Sequence, residues 1–331
     1  MDAANQTPTD RRATGAEVVV ITGASSGIGR ATARRYARRG ARVVLASRSE
    51  PALQTVAEEC RELGGQALVV RTDVTHEGEV RALAAAAVLE YGRIDVWVGN
   101  AGVLAYGAFE QLPARVFRQV VETNLMGQVH GARAVLPYFR RQGSGTLVMV
   151  GSLYSRVGSP VISPYVTSKF GLLGFAECLR QELRGSGIRV RVVLPASTDT
   201  PIYQHAANVT TRHIRPLPPA GSPARVARAI VRAPRRRRFA TFVGRVQKQT
   251  LPMHDLAPAV YDAAASWMVE RVELHGEDAE VTVGTVFDPP ESAGPTTGGW
   301  RSFGGRLLLG ALATAVLSVL LARPRVSMAR A

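Results

Sequence analysis

The sequence predicts an α/β fold: a doubly wound, Rossmann-like parallel sheet in a single domain, with a C-terminal linker and an apolar helix appended. Three observations predict it. Short β-branched runs recur through residues 17–194, each bounded by glycine or polar residues. Helix-length amphipathic segments alternate with them, as the crossovers of parallel strands require. A glycine-rich turn joins the first run to the first helix, the place where such sheets bind their ligands.

The elements follow in order. Residues 17–21 read as a buried strand ahead of Thr22-Gly23, and a helix opens near Gly29 and stops at Gly40. Residues 41–46 form the second strand. Residues 51–63 form a helix with Pro51 in its first turn, ended by Gly64 and Gly65. The third strand is 66–70, the next helix 77–91, and the fourth strand 94–98 enters Gly99-Asn100-Ala101-Gly102. One long helix is expected over 113–139, a fifth strand over 146–150, a helix over 163–184 and a sixth strand over 188–194. Crossovers should be right-handed. After Pro195 the rhythm breaks. Residues 196–221, rich in Thr, Pro and His, are too long for a passive connection. Short helices at 223–231 and 256–270 follow, with a strand at 239–243. The domain is expected over 16–272, after a disordered stretch at 1–15. Residues 273–302 hold Asp, Glu, Pro, Gly and Thr with little apolar pattern and read as a flexible linker.

Composition excludes several classes. The net charge of +15 comes from scattered arginines without an aromatic-rich binding motif, so no nucleic-acid partner is expected. Cys60 and Cys178 are too few and too far apart for a disulfide framework or a metal site, which favours a reducing, cytoplasmic setting. The first fifteen residues lack the apolar core of a signal peptide.

The chemistry-bearing residues stand out by their type. Of 41 basic residues only Lys169 and Lys248 are lysine; the other 39 are arginine. Lys169 follows Tyr165 by four positions, which share one helix face. A compact ammonium beside a phenol favours the tyrosinate and lowers its pKa from about 10. A flat guanidinium fills that space differently. The pair reads as a tyrosine prepared for proton transfer, although an exposed tyrosine resting on a lysine stem has the same spacing. In Thr22-Gly23-Ala24-Ser25-Ser26-Gly27-Ile28-Gly29, Gly23 permits a tight turn, Gly27 lets the backbone approach a pyrophosphate, and Gly29 allows close helix packing. The following helix N-terminus would face the phosphates.

This G-x-x-x-G-x-G spacing, with Tyr165-x-x-x-Lys169, resembles the short-chain dehydrogenase/reductase family over residues 17–200. Asp73-Val74 falls where the family contacts adenine, and Asn100-Ala101-Gly102 where it steadies the sheet and borders the cofactor. Asn124 falls at the family's catalytic asparagine, and Ser152, thirteen residues before Tyr165, at its catalytic serine. The resemblance implies that Tyr165 exchanges a proton with the substrate oxygen while Ser152 hydrogen-bonds the same oxygen. It also implies that Lys169 grips the nicotinamide ribose and stabilises the tyrosinate, and that Asn124 positions a water for proton resupply. The family's Pro-Gly after the sixth strand is Pro195-Ala196 here, with Thr198 and Thr200 still available to the nicotinamide carboxamide.

Cofactor choice falls on Ser47-Arg48 at the end of the second strand, where NAD-using relatives usually place an acid. A hydroxyl and a forked cation suit a 2′-phosphate, with Arg30 close by, so NADP(H) is expected. Tyr106, Leu153, Tyr154, Val157, Ile202, Tyr203 and His205 are expected to border an apolar substrate pocket. The resemblance further implies a homodimer or homotetramer. Residues 307–322 carry no charge; as a helix they span ~24 Å against a hydrocarbon core of ~30 Å. Extended to 303–322 with Arg306 snorkelling, the segment is a candidate membrane anchor, although Arg323, Arg325 and Arg330 in the basic tail 323–331 oppose full insertion. The expected activity is NADP(H)-dependent interconversion of a carbonyl and a secondary alcohol on an apolar substrate. Two other readings stay open: a non-catalytic NADP-binding regulator or scaffold, and a 3-ketoacyl carrier-protein reductase.

Overall fold

Val18–Thr22 (β1) is buried at every position, as a central strand covered on both faces must be. The computed structural model describes residues 15–244, 249–290 and 292–302. The N-terminal stretch up to residue 14, the apolar segment 303–322 and the basic tail 323–331 lie outside the described residues. The next strands are β2 (Arg42–Ser47), β3 (Gln66–Arg71) and β4 (Val96–Gly99), then β5 (Ala105–Tyr106), which leaves the main sheet. β6 (Gly145–Val150), β7 (Ile188–Pro195), β8 (Ala207–Asn208), β9 (His213–Ile214), β10 (Ala240–Val243) and β11 (Leu274–His275) follow. The main sheet has seven strands in the order β3-β2-β1-β4-β6-β7-β10, paired in parallel throughout.

Successive strand residues point to opposite faces, so each strand feeds two cores. Val20, Trp97 and Met149 join one core with α3 (Glu77–Tyr91), α5 (Gly127–Gln142) and α6 (Ser163–Glu182). Val19, Val98 and Val148 join the other with α1 (Gly27–Ala37), α2 (Glu50–Glu62) and α7 (Pro223–Arg232). α4 (Ala114–Val121) packs on α6, and α8 (Thr250–Leu256) and α9 (Pro258–Met268) follow the last strand of the main sheet.

Most expected elements recur within a few residues, and α3 has the expected bounds. Three differences matter. The expected helix 113–139 is α4 and α5 joined by a π turn at Glu122–Met126, an extra-residue register that periodicity over so short a stretch does not reveal. The expected helix 256–270 is broken at Ala257, forced into an extended φ of −144° ahead of Pro258, and then ends in a second π turn, Val269–Glu273.

The expected flexible linker is the third correction. Residues 276–290 and 292–302 form a strap packed on the domain. Val286 is fully buried with Val103, Leu112 and Ala207, and the backbones of Asn208 and Thr282 exchange hydrogen bonds of 2.7 and 2.9 Å. Few apolar residues suffice because backbone hydrogen bonds, which have no residue signature, do much of the holding. The long segment 196–221 supplies β8, parallel to β5, and β9, antiparallel to β11. Among the described residues no helix is long and apolar enough to cross a membrane.

A Cβ on buried Gly131 would stand 2.7 Å from Trp97 Nε1, so glycine sets the spacing of α5 on β4. Gly131→Ala should lose about 1–3 kcal/mol in urea unfolding, with a shift in Trp97 fluorescence. Wild-type stability in that variant would show that the spacing is set elsewhere.

Candidate active site

The glycine turn is locked to the end of β4. Thr22 Oγ1 accepts the amides of Asn100 and Ala101 at 3.0 and 3.2 Å, and Asn100 Nδ2 donates to the carbonyls of Thr22 and Gly23 at 3.1 Å each. Gly23 has a φ of 64°, the left-handed region that favours glycine. A Cβ on Gly29 would stand 1.9 Å from the Gly23 carbonyl oxygen. Helix α1 therefore starts directly against the turn. Ser25, Ser26, Gly27 and Ile28 face the cleft above it, while Thr22 and Gly29 lie behind the wall.

Helix α6, begun by Pro164, carries Tyr165 and Lys169 one turn apart. Ser152 leaves β6 in extended conformation, fixed by a capping box with Ser155, and its hydroxyl lies beside the Tyr165 phenol in the cleft. Burial pushes that phenol up to about 12, with the neighbouring Ser152 hydroxyl opposing. Burial likewise pushes Lys169 down to about 8. Its Nζ donates to the Val150 carbonyl at 3.1 Å and lies 5.4 Å from the centre of the Tyr165 ring. The expected lowering of the tyrosine pKa by Lys169 does not appear in this geometry, where desolvation dominates and the Ser152 hydroxyl is what opposes it.

Asn124 sits in the first π turn, fully buried. Its Oδ1 accepts the Val103 amide at 2.7 Å, and its Nδ2 donates to the Val103 carbonyl at 2.9 Å and to Ser168 Oγ at 3.2 Å. The side chain thus anchors the Gly102–Val103 backbone, and it is not part of the cleft wall. A Cβ on Gly102 would meet Asn124 Oδ1 at 3.2 Å and Lys169 Nζ at 3.8 Å, so glycine keeps the space over the ammonium open.

A cleft of about 1070 Å³ runs along the carboxyl ends of the strands. Ser47, Arg48, Asn100, Ala101 and Gly102 line it, as do Pro195, Thr198 and Thr200. Thr198 Oγ1 is already spent on the Ala196 carbonyl at 2.8 Å. Asp73 and Val74 are not in the wall: Asp73 Oδ1 accepts the Thr75 amide and hydroxyl, and the Val74 carbonyl is bonded to His130 Nδ1.

The strap crosses this end of the cleft. Arg48 donates to the carbonyls of Thr285, Val286 and Phe287 at 2.5, 3.3 and 2.6 Å. Arg30, expected near a 2′-phosphate, is tied to Glu59 and to the Gly294 carbonyl. The Gly27 amide donates to the Pro295 carbonyl at 3.1 Å, and Asp199 Oδ1 accepts the amides of Gly298 and Trp300 at 2.8 and 3.0 Å. The wall fits an extended dinucleotide in its open glycine turn, in the free space at Gly102 and in its buried Lys169. Two of its donors, the Gly27 amide and the Arg48 guanidinium, are held by strap carbonyls.

Tyr106, Leu153, Tyr154, Val157, Ile202, Tyr203 and His205 all line the remainder, as expected. Sequence reasoning missed Met253, Trp267, Met268 and, above all, Glu273. Glu273 is 2% exposed and its Oε1 accepts the Tyr106 hydroxyl, while Oε2 has no partner among the described residues. Burial pushes this carboxyl up to about 7. No signal pointed to it, because a glutamate in Glu270-Arg271-Val272-Glu273 reads as an ordinary solvated charge.

Comparison with known proteins agrees with this geometry. Residues 17–209 match the short chain dehydrogenase family. The chain is 35% identical over 270 residues to the uncharacterized oxidoreductase YxnA of Bacillus subtilis, covering 80% of this chain and 74% of that protein. A short chain dehydrogenase/reductase of Burkholderia phymatum, solved in complex with NAD, aligns with a TM-score of 0.67 and 27% identity over 75% of this chain and 95% of its own. A variant of the actinorhodin polyketide ketoreductase, solved with NADPH, aligns with a TM-score of 0.61 and 33% identity over 66% and 90%. The nicotinamide cofactors in those structures are of both kinds. With the glycine turn, the Ser152–Tyr165 pair and Lys169 in one cleft, this chain belongs to the short-chain dehydrogenase family of oxidoreductases.

Proposed function

We propose that the chain is an NADP(H)-dependent oxidoreductase that interconverts a carbonyl and a secondary alcohol on an apolar substrate. The observation that carries this reading is the Tyr165 phenol, beside the Ser152 hydroxyl in a largely apolar cleft, with the Lys169 ammonium next to its ring. The dinucleotide, when bound, supplies or takes the hydride. Ser152 orients the substrate oxygen. Tyr165, held at about 12, keeps its proton through neutral pH and donates it to that oxygen as negative charge develops. The tyrosinate left behind is stabilised by Lys169, which is a cation below about pH 8. Asn124 acts as a positioning residue through its two bonds to Val103.

Support for NADP(H) comes from Ser47, the last residue of β2, and Arg48 after it, neither of which is an acid. The hydrogen-bond partners of Arg48 in the strap are neutral carbonyls, and a phosphate offers the guanidinium stronger, charge-assisted bonds. The Gly27 amide would hold the pyrophosphate, and to do so it would have to give up the Pro295 carbonyl of the strap.

In NADPH oxidation over a carbonyl panel, Tyr165→Phe should lose about 10²–10⁴-fold in kcat, and Lys169→Arg most of the activity although its charge is kept. Equal rates in wild type and Tyr165→Phe would remove the mechanism. Arg48→Ala should lower the NADPH-to-NADH ratio of kcat/KM about tenfold or more, in line with the loss of a charge-assisted pair; a tenfold wild-type preference for NADH would overturn the cofactor choice. By hydrogen exchange, saturating NADPH should speed exchange of the Gly298 and Trp300 amides. Slower exchange there would mean that the strap closes over the dinucleotide instead.

A further inference from the structure

Resting on the oxidoreductase reading, we infer that Glu273 recognises the substrate: it binds a hydroxyl group carried by an apolar carbonyl compound in the cleft. The placement is built from two small sheets. The β5–β8 pairing holds Tyr106, and the β9–β11 pairing holds the end of the second π turn, where Glu273 lies. Tyr106 fixes one carboxyl oxygen and leaves the other, Oε2, buried and without a partner among the described residues. Native proteins rarely leave a buried polar atom unsatisfied, because its lost hydration is not replaced. Here the carboxyl lines the same cleft as the reacting phenol. Tyr154, packed edge-on at 6.4 Å from the Tyr165 ring, and Tyr203 form the apolar passage between the two groups. A compound with its carbonyl at Ser152 and Tyr165 would present its far end to Glu273.

The partner is a neutral donor. Only the Tyr106 hydrogen bond opposes burial at this carboxyl, which burial pushes to about 7, so both its ionised and neutral forms are accessible near neutral pH. A hydroxyl satisfies either form, donating to a carboxylate or accepting from a carboxylic acid. An ammonium would demand a dry ion pair, whose desolvation penalty is large, and would have to approach a chain of net charge +15.

The test uses methyl ketones of increasing chain length, each with a plain, a hydroxyl or an ammonium terminus, reduced with NADPH by the full chain. At one chain length the hydroxyl compound should exceed the plain one at least tenfold in kcat/KM, mostly through KM. The double variant Glu273→Leu with Tyr106→Phe, which leaves neither partner orphaned, should bring that ratio to one or below, and Glu273→Gln should retain part of it. A ratio under twofold at every length, a ratio that survives in the double variant, or preference for the ammonium series would each overturn the assignment. If no ketone of any series turns over, it is the oxidoreductase reading that fails. The assignment is then decided by thermal shift with the hydroxyl series: stabilisation of wild type but not of the double variant supports it, and equal shifts overturn it.

Discussion

The hydrogen bonds between Asn100 and the Thr22–Gly23 turn are the constraint on which the cleft depends. β1 is the strand at which the order of the sheet reverses, with β2 on one side and β4 on the other, so a crevice opens at their carboxyl ends. Left alone, two parallel strands would end there with unpaired backbone groups. Asn100 satisfies two carbonyls and Thr22 two amides, which turns a gap into a rigid wall. From that wall the chain runs on through Gly102 to Val103, where Asn124 seizes both backbone groups. The floor over Lys169 is thus set by one continuous set of amide bonds reaching from β1 to α6.

Desolvation governs the chemistry of the whole cleft. It holds the Tyr165 proton on, weakens the hold of Lys169 on its own, and drives Glu273 toward the neutral acid. The tyrosine and the glutamate are both pressed into proton-bearing forms, yet they differ in their neighbours. Tyr165 has a hydroxyl and an ammonium close by, able to take up charge when its proton leaves, whereas the carboxyl of Glu273 faces tyrosines. One therefore suits proton transfer and the other recognition.

How much of this was legible in the sequence follows from what kind of force each part uses. The sheet was legible because a strand buried on both faces needs an unbroken β-branched run, as in Val18–Thr22. The glycine turn and the Tyr165–Lys169 pair were legible because few residue types fit a left-handed turn or a shared helix face. The two π turns were not, since one additional residue in a helix shifts the register by less than the scatter of a short amphipathic pattern. The strap was illegible for a different reason. Its anchors are backbone carbonyls of residues such as Gly294 and Pro295, and they meet Arg30 and Gly27, more than two hundred and sixty residues earlier. Glu273 combined both obstacles, sitting in a π turn and buried against the habit of its residue type.

The strap has a thermodynamic consequence. Being part of the same chain, its carbonyls are ligands present at a fixed effective concentration that dilution cannot reduce. The affinity of the protein for any ligand that needs the Gly27 amide is its intrinsic affinity scaled by the fraction of molecules whose strap is off. Every 1.4 kcal/mol of strap docking weakens apparent binding tenfold. Under the proposed function, changes at Asp199, Gln204 or Val286, which hold the strap without lining the cleft, would tune dinucleotide binding by shifting how often the strap lets go.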